Sequence, residues 1–381
     1  MPIKLDGEKI VVTEGEQSYE LERVKSYGYR DISQETTQPP TIINNVNNTS
    51  TYTGEDITPE ILKYTHDGSS SDQTTHSITF DEDVLVDMLI VGGGGAGGTY
   101  IGGGGGGGGV FYMTNTSISA GTYNIKVGKG GDSVVGNAVS SSTQQGKNSE
   151  AFGIEVYGGG YGGGGQWGAS SVGQNGENGG SGGGGGSCHA GTPGSGGTKQ
   201  DPNLTNATIT LGSYNYYGGN GATSMLFSNS NAGGAVGANG GGGAGGDAPS
   251  NSDQAIAGNG ADGIPINITG ITHYWGGGGG GGQYSGTSAG NGGKGGGGGG
   301  NGSQQLEQPG IGGTGGITNG QDGDPDGDGT PTAGSGGSHT GGGGGGTGRT
   351  TGSPNPVSGA GGSGIGRNLF LRQLWRCRRH P

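Results

Sequence analysis

The tract Asp322-Gly323-Asp324-Pro325-Asp326-Gly327-Asp328 is the densest group of potential metal ligands in the chain. Its carboxylates stand at alternate positions with a glycine sixth, as in the first half of a calcium loop, where hard oxygen ligands ring the ion and glycine makes the sharp turn. The twelfth position is Ala333, so the bidentate glutamate is missing. Two readings stay open: a calcium site built from Asp322, Asp324, Asp326 and Asp328, or a solvated acidic loop. Beyond calcium no cofactor is expected. Cys188-His189 offers too few ligands for a metal site on its own. Cys188 and Cys377 make no disulfide framework and read as free thiols. The six histidines are dispersed, and no nucleophile–base arrangement emerges, so the chain is not expected to be an enzyme. Leu89-Ile90-Val91-Gly92 through Gly98 satisfies the dinucleotide-binding spacing after an apolar run. That motif needs a helix next and an acidic residue about 20 positions on. Here more glycine comes instead, and the match is what a glycine-rich chain gives by chance.

A second group is aromatic. Gly212-Ser213-Tyr214-Asn215-Tyr216-Tyr217-Gly218-Gly219 matches Gly270-Ile271-Thr272-His273-Tyr274-Trp275-Gly276-Gly277, and Val156-Tyr157-Gly158-Gly159 is a shorter echo. An aromatic ring stands at the mouth of each of these glycine runs. Such rings either seal the edge of a packed structure or form a stacking surface suited to sugar rings, since they join a flat apolar face to a polar tip. On the second reading the receptor-binding candidates are Trp167, Tyr214, Tyr216, Tyr217, Tyr274, Trp275 and Tyr284.

What must position these groups is glycine, 107 of the 381 residues, against about 7% in ordinary proteins. The pivotal stretch is Val84 to Val110, where a β-branched apolar run gives way to Gly92–Gly98, a Thr99-Tyr100-Ile101 step and an unbroken Gly102–Gly109. Similar runs recur at 158–165, 179–186, 240–246, 276–282, 292–300, 310–316 and 341–346. Glycine disfavours helix by about 1 kcal/mol per residue relative to Ala, and a glycine sheet lacks cross-strand side-chain pairs. The runs are therefore flexible linkers or bare extended rods that pack sideways. Left-handed three-residue-per-turn rods at about 3.1 Å per residue would bond every buried peptide group to a neighbour. The near-constant run length fits rods better than linkers. Collagen is excluded, because glycine comes in blocks rather than at every third position.

Residues 1–35 suggest short strands at Ile10–Val12 and Tyr19–Leu21. The tract Thr41–Thr51 is polar and β-prone. It reads as a solvated linker, or as an interwound stalk with Ile42, Ile43 and Val46 facing a trimer axis. Asp56–Lys63 reads as a short helix, with Thr58 as N-cap and Pro59 in the first position. Strands are expected at Ile78–Phe80, Val84–Val91, Val110–Met113, Thr122–Val127 and Phe152–Tyr157. The expected organisation is an N-terminal attachment or oligomerisation region with a polar linker (1–76), a β-rich base with the first glycine rods (77–157), a polyglycine II bundle with variable loops (158–365) and an atypical basic tail (366–381). The fold class is mostly β and irregular: a small β-rich base followed by a polyglycine II helix bundle with loops at its ends.

Apolar residues make up only 26% and charged residues 12%, so no single large side-chain core can form. Disordered chains of low apolar content usually carry high charge, which this one does not. The net charge of −13 speaks against nucleic acid and anionic membranes as partners. The opening residues do not form a signal peptide, and no apolar run is long enough to insert in a membrane.

Strand-then-glycine blocks, the turn Ala120-Gly121-Thr122-Tyr123-Asn124-Ile125-Lys126-Val127-Gly128 and the aromatic-plus-glycine repeats resemble the glycine-rich domains of phage tail-fibre tip adhesins and related viral and microbial surface proteins. The resemblance covers roughly residues 77–365. It implies polyglycine II rods carrying recognition loops, a virion or extracellular location after synthesis in a host cytoplasm, and attachment to a host surface receptor, either a glycan or an outer-surface protein. Further partners would be other fibre or virion proteins and copies of the chain, as a trimer. The alternative is a structural glycine-rich surface or matrix protein without a specific ligand. Such domains close on a Gly-Gly-Ser-Gly-Ile motif, here Gly361–Ile365. The tail Gly366–Pro381 departs from the pattern and carries five arginines. It reads as a frameshifted or degraded end, or as a basic anchor helix with Leu371, Leu374 and Trp375 on one face. Loss of the closing strand would expose a sheet edge near Val84–Val91.

Overall fold

The computed structural model describes residues 3–6, 9–14, 17–22, 42–44, 49–52, 61–368 and 372–373, apart from 137–141, 167–170, 190, 225, 228–235, 252, 254, 269, 285–286, 303–307, 325–329 and 350–354. The fold is β-rich, and the one helical element among the described residues is the 3-10 turn Ser142–Gln144. The chain divides into two units, Met1–Pro39 and Pro40–Pro381. The first holds an antiparallel meander of β1 (Ile3–Asp6), β2 (Lys9–Glu14) and β3 (Gln17–Glu22).

The second unit starts from two sheets. Strands β4 (Ile42–Asn44), β6 (Ile61–Thr65), β8 (Val84–Val91), β9 (Val110–Ile118), β14 (Tyr214–Tyr217) and β20 (Ile365–Asn368) form one sheet in the order β14-β9-β8-β20-β6-β4, and β21 (Arg372–Gln373) also pairs with β8. Strands β5 (Thr49–Tyr52), β7 (Gln73–Phe80), β10 (Gly121–Gly128), β11 (Ser149–Ala151) and β12 (Ile154–Val156) form the other, in the order β12-β11-β10-β7-β5. The period-two alternation of β8 decides what lies between them. Val84, Val86, Met88 and Ile90 join Ile78, Phe80, Phe111, Ile125 and Ile154 in one core fed by both sheets. The other face of the strand sends Leu89 and Val91 into a second cluster with Val110, Ile266, Trp275 and Ile365.

Two expectations are corrected here. Ile61–Lys63 do not close a helix. They lie in β6, paired antiparallel with β20 and parallel with β4, so tertiary pairing prevails there over the local helix signal; the rest of the expected helix, residues 56–60, lies outside the described residues. The tail is not helical at Arg372–Gln373, which pair with Leu85 and Val84; Leu371, Leu374 and Trp375 lie outside the described residues. The closing strand is in place, because Ile365 opposes Val91 on one side and Thr65 on the other. The polar tract expected as linker or stalk supplies β4 and β5, both pairing in parallel within this chain.

Beyond the sheets the chain runs back and forth in extended glycine segments whose backbone bonds follow a three-residue rotation. From the segment 92–98, Gly92, Gly95 and Gly98 donate to Gly109, Gly106 and Gly103; Gly93 and Ala96 donate to Lys147 and Gln144; Gly94 and Gly97 donate to Gly362 and Gly359. The central segment 102–109 donates in the same rotation to 157–163, 239–242 and 341–347, and accepts from 92–98, 181–184 and 279–282. Six neighbours thus surround one bare backbone. Side chains are excluded by contact: a Cβ at Gly104 would strike the carbonyl of Gly279, and one at Gly105 that of Gly95. Ser149 joins this layer to the sheets. Its hydroxyl donates to Val91 O at 2.7 Å and accepts from Gly128 N–H at 3.0 Å.

Candidate functional site

The direction of each segment gives the layer two ends. Val91, Tyr157, Trp275 and Thr340 lead into glycine at the sheet end, where Gly109 donates to Tyr157 O, Gly276 to Thr340 O and Gly108 to Gly341 O. The same segments finish together at the far end. There Ile101 and Gly102 both donate to Thr347 O, Ser187 to Ile101 O, Gln166 to Ser187 O, Gln283 to Asn301 O and Gly348 to Asn301 O. Six to eight extended residues separate the ends, roughly 20–25 Å.

This polarity splits the aromatic candidates. Tyr214–Tyr217 form β14 on the edge of β9. Tyr214 is 41% exposed, its ring stacked on Phe111 at 5.1 Å. The Tyr216 hydroxyl donates to Gln200 O at 2.5 Å, and burial pushes its phenol far above the ordinary range, with Asp201 and Tyr157 adding to the shift. Tyr217 packs half-buried against the second cluster. Tyr274 and Trp275 lie in β18 (His273–Trp275), which pairs with β17 (Ile264–Ile266). Lys294 Nζ sits 5.4 Å from the centre of the Tyr274 ring. Trp275 is 0% exposed. These five therefore stand with the sheets, and four of them are partly or wholly packed against the base. Tyr284 belongs to the far end, in β19 (Gln283–Tyr284), which pairs with β16 (Val236–Gly237). Trp167 lies outside the described residues; the preceding Gln166 is at the far end.

Three further residues of the far end, Tyr100, Ile101 and Arg349, were not among the candidates read from the sequence. Tyr100 and Ile101 turn the chain between the first two glycine segments with φ of 61° and 66°, left-handed values that side-chain-bearing residues rarely adopt. Ile101 is buried against Ala238 with Tyr284 packed on them. The Arg349 guanidinium carbon lies 5.7 Å from the centre of the Tyr100 ring and 5.3 Å from that of Tyr284. All three side chains are half-buried. The available signal was the Thr99-Tyr100-Ile101 interruption itself, three bulky residues between two glycine blocks.

Of the acidic tract, Asp322 Oδ1 accepts Gly312 N–H at 2.7 Å, and Asp324 N–H donates to Thr332 O at 2.8 Å. Asp326 and Asp328 lie outside the described residues. Among the described residues no three His, Cys, Asp or Glu side chains gather into a metal-binding group. Cys188 is a buried free thiol in β13 (Cys188–His189), which pairs in parallel with β15 (Leu226–Phe227).

The model of the glycine-rich domain family matches residues 70–268, and the chain belongs to that family. No curated protein matches its sequence.

Proposed function

We propose that this member of the glycine-rich domain family is a receptor-binding protein of the fibre-tip type, carried on a virion and mediating host-cell attachment. On this reading the glycine segments are polyglycine II rods, which the rotation of backbone bonds among three neighbours every three residues supports. The observation that carries the functional part is the convergence of segment ends away from the sheets, at Tyr100, Gln166, Tyr284 and Arg349. A rigid scaffold that holds chain reversals at one end is suited to present binding loops. Met1–Pro39, a unit of its own, would attach to other fibre or virion proteins or associate with further copies. The receptor would be a host surface glycan or outer-surface protein, with many fibres supplying avidity. Calcium at Asp322–Asp328 is a lesser part of the proposal, because the Asp322 carboxylate already accepts a backbone amide.

The burial of Trp275 and of the Tyr216 hydroxyl favours a second reading for that part of the aromatic set, a structural glycine-rich surface protein without a ligand. Binding of the labelled full chain to a panel of bacterial cells separates the two. Saturable binding that Tyr284→Ala weakens and Tyr214→Ala leaves intact is expected of a tip adhesin. Absence of saturable binding on every surface would favour the structural protein.

A further inference from the structure

We propose that Tyr100, Arg349 and Tyr284 form a binding site for an acidic sugar, a pyranose bearing a carboxylate or a phosphate. The inference rests on the receptor-binding reading for its setting and names the chemistry the far end would recognise.

The cation comes first. Arg349 lies within 5.7 Å and 5.3 Å of two ring centres, close enough for the negative faces of both rings to attract it. A guanidinium is planar, permanently charged and shaped to meet a carboxylate or phosphate with paired N–H donors. Lysine in that place would give only a point charge. The rings supply the rest of what a sugar needs at their rims, apolar edges and a phenol for hydroxyls. The guanidinium lies over both rings, so an acidic pyranose would bring its anionic group to the N–H edge of the cation and its hydroxyls to the phenols beside it.

The frame under these groups is fixed. Tyr284 packs on Ile101 and Ala238 and is paired opposite Val236. Arg349 comes after Thr347 and Gly348, which are bonded to Ile101, Gly102, Gly98 and Asn301. The turn itself is the second observation. Tyr100 and Ile101 are left-handed at φ 61° and 66° in a chain that places glycine at almost every neighbouring position. Glycine would relieve the conformation. Ile101 is accounted for by its complete burial. Tyr100 is half-exposed, and packing alone does not account for a strained tyrosine there; strained residues of this kind gather at ligand sites. Because the chain carries a net charge of −13, an acidic ligand is repelled at long range, and recognition must come from contact with Arg349.

The test titrates the full chain with three probes: trigalacturonic acid, glucose 6-phosphate and the neutral sugar galactotriose. At least one acidic probe is expected to bind about tenfold or more tightly than galactotriose, and which one binds tells carboxylate from phosphate. Arg349→Gln is expected to lose about tenfold in affinity, and Arg349→Lys to recover only part. Tyr100→Asn keeps a residue that tolerates the left-handed turn while removing the ring, and is expected to weaken binding as well. Protection of the Gly102–Gly109 amides serves as the fold control. The proposal is overturned by equal binding of acidic and neutral probes, by no binding of either acidic probe at about 10 mM, or by a folded Arg349→Gln protein that binds as before. The wild-type comparison decides even if a variant fails to fold. A chain that binds cells but neither acidic probe would leave the receptor-binding reading standing with another ligand. One that binds an acidic probe but no cell would do the reverse.

Discussion

The side-chain oxygen of Asn259 accepts the backbone N–H of Asn291 at 2.8 Å. Asn291 repeats the gesture one segment further out, its Oδ1 accepting Ile311 N–H at 2.8 Å. Asn175 does so for Ser195, Asn178 for Thr198 and Asp262 for Lys294. Within the layer a main-chain carbonyl would hold each amide. Along these outer segments an Asn or Asp oxygen takes its place, and Asn175/Asn178 and Asn259/Asp262 keep the three-residue spacing of the glycine pattern. Removing one such oxygen in Asn259→Ala is expected to lower stability by about 0.5–1.5 kcal/mol, whereas Asn259→Asp keeps the acceptor and most of the stability. Thermal melts of the two variants check this.

The interior is expected to tolerate far less. Gly104→Ala drives a methyl into the Gly279 carbonyl, with backbone on every side and no flexible atom to give way. A loss of about 3 kcal/mol or more is expected, at the upper end of overpacking effects. Gly212, where a Cβ meets nothing within 4 Å, is the control. Gly212→Ala should fold and melt like the wild type. Equal behaviour of the two variants would mean the segments are not packed as described.

Amide hydrogen exchange reads the same packing without substitution. Gly102–Gly109 amides are bonded along the whole run, so they are expected to exchange only by large-scale opening. Gly276–Gly282 should behave alike. Gly68, whose N–H is held only by the ring nitrogen of His66 in a partly buried turn, should exchange sooner. Uniformly fast exchange across the glycine runs would remove the scaffold on which the functional reading stands.

Alkaline pH gives a fourth test. The Tyr216 phenol is held above its ordinary range mainly by burial. An unfolded tyrosine ionises near pH 10, while the folded one stays protonated beyond that. Between those points the folded state binds the extra proton, so stability falls as pH rises; below about pH 10 the group contributes no pH dependence. Tyr216→Phe is expected to cost about 1 kcal/mol at neutral pH through the lost bond to Gln200 O, and to flatten the alkaline decline. Denaturant melts at pH 8 to 11 would show both effects.

Much of the base was legible in the sequence. The alternation in Val84–Val91 and the turn at Ala120-Gly121 place β8, β9 and β10 where side-chain pattern alone puts them. Ile61–Lys63 misled because Thr58 and Pro59 carry a local helix signal, while the decisive partners of β6, Ile365–Asn368, lie at the other end of the chain. For the far end, Tyr284 was readable from its place beside a glycine block. Tyr100 and Arg349 were not, because nothing in sequence joins them. They meet only because segments of matched length end at the same level.

The position of β20 has a consequence for how the molecule is made. Ile365–Asn368 fill the gap between β8 and β6, and Gly94 and Gly97 bond to Gly362 and Gly359. The innermost backbones therefore wait for partners translated hundreds of residues later. Contacts so distant in sequence make folding slow, and a nascent chain still short of Gly359 leaves the Gly94 and Gly97 amides without the carbonyls they bond in the finished fold. Assembly is thus expected to be largely post-translational, with the last described strands acting as a keystone rather than an appendage.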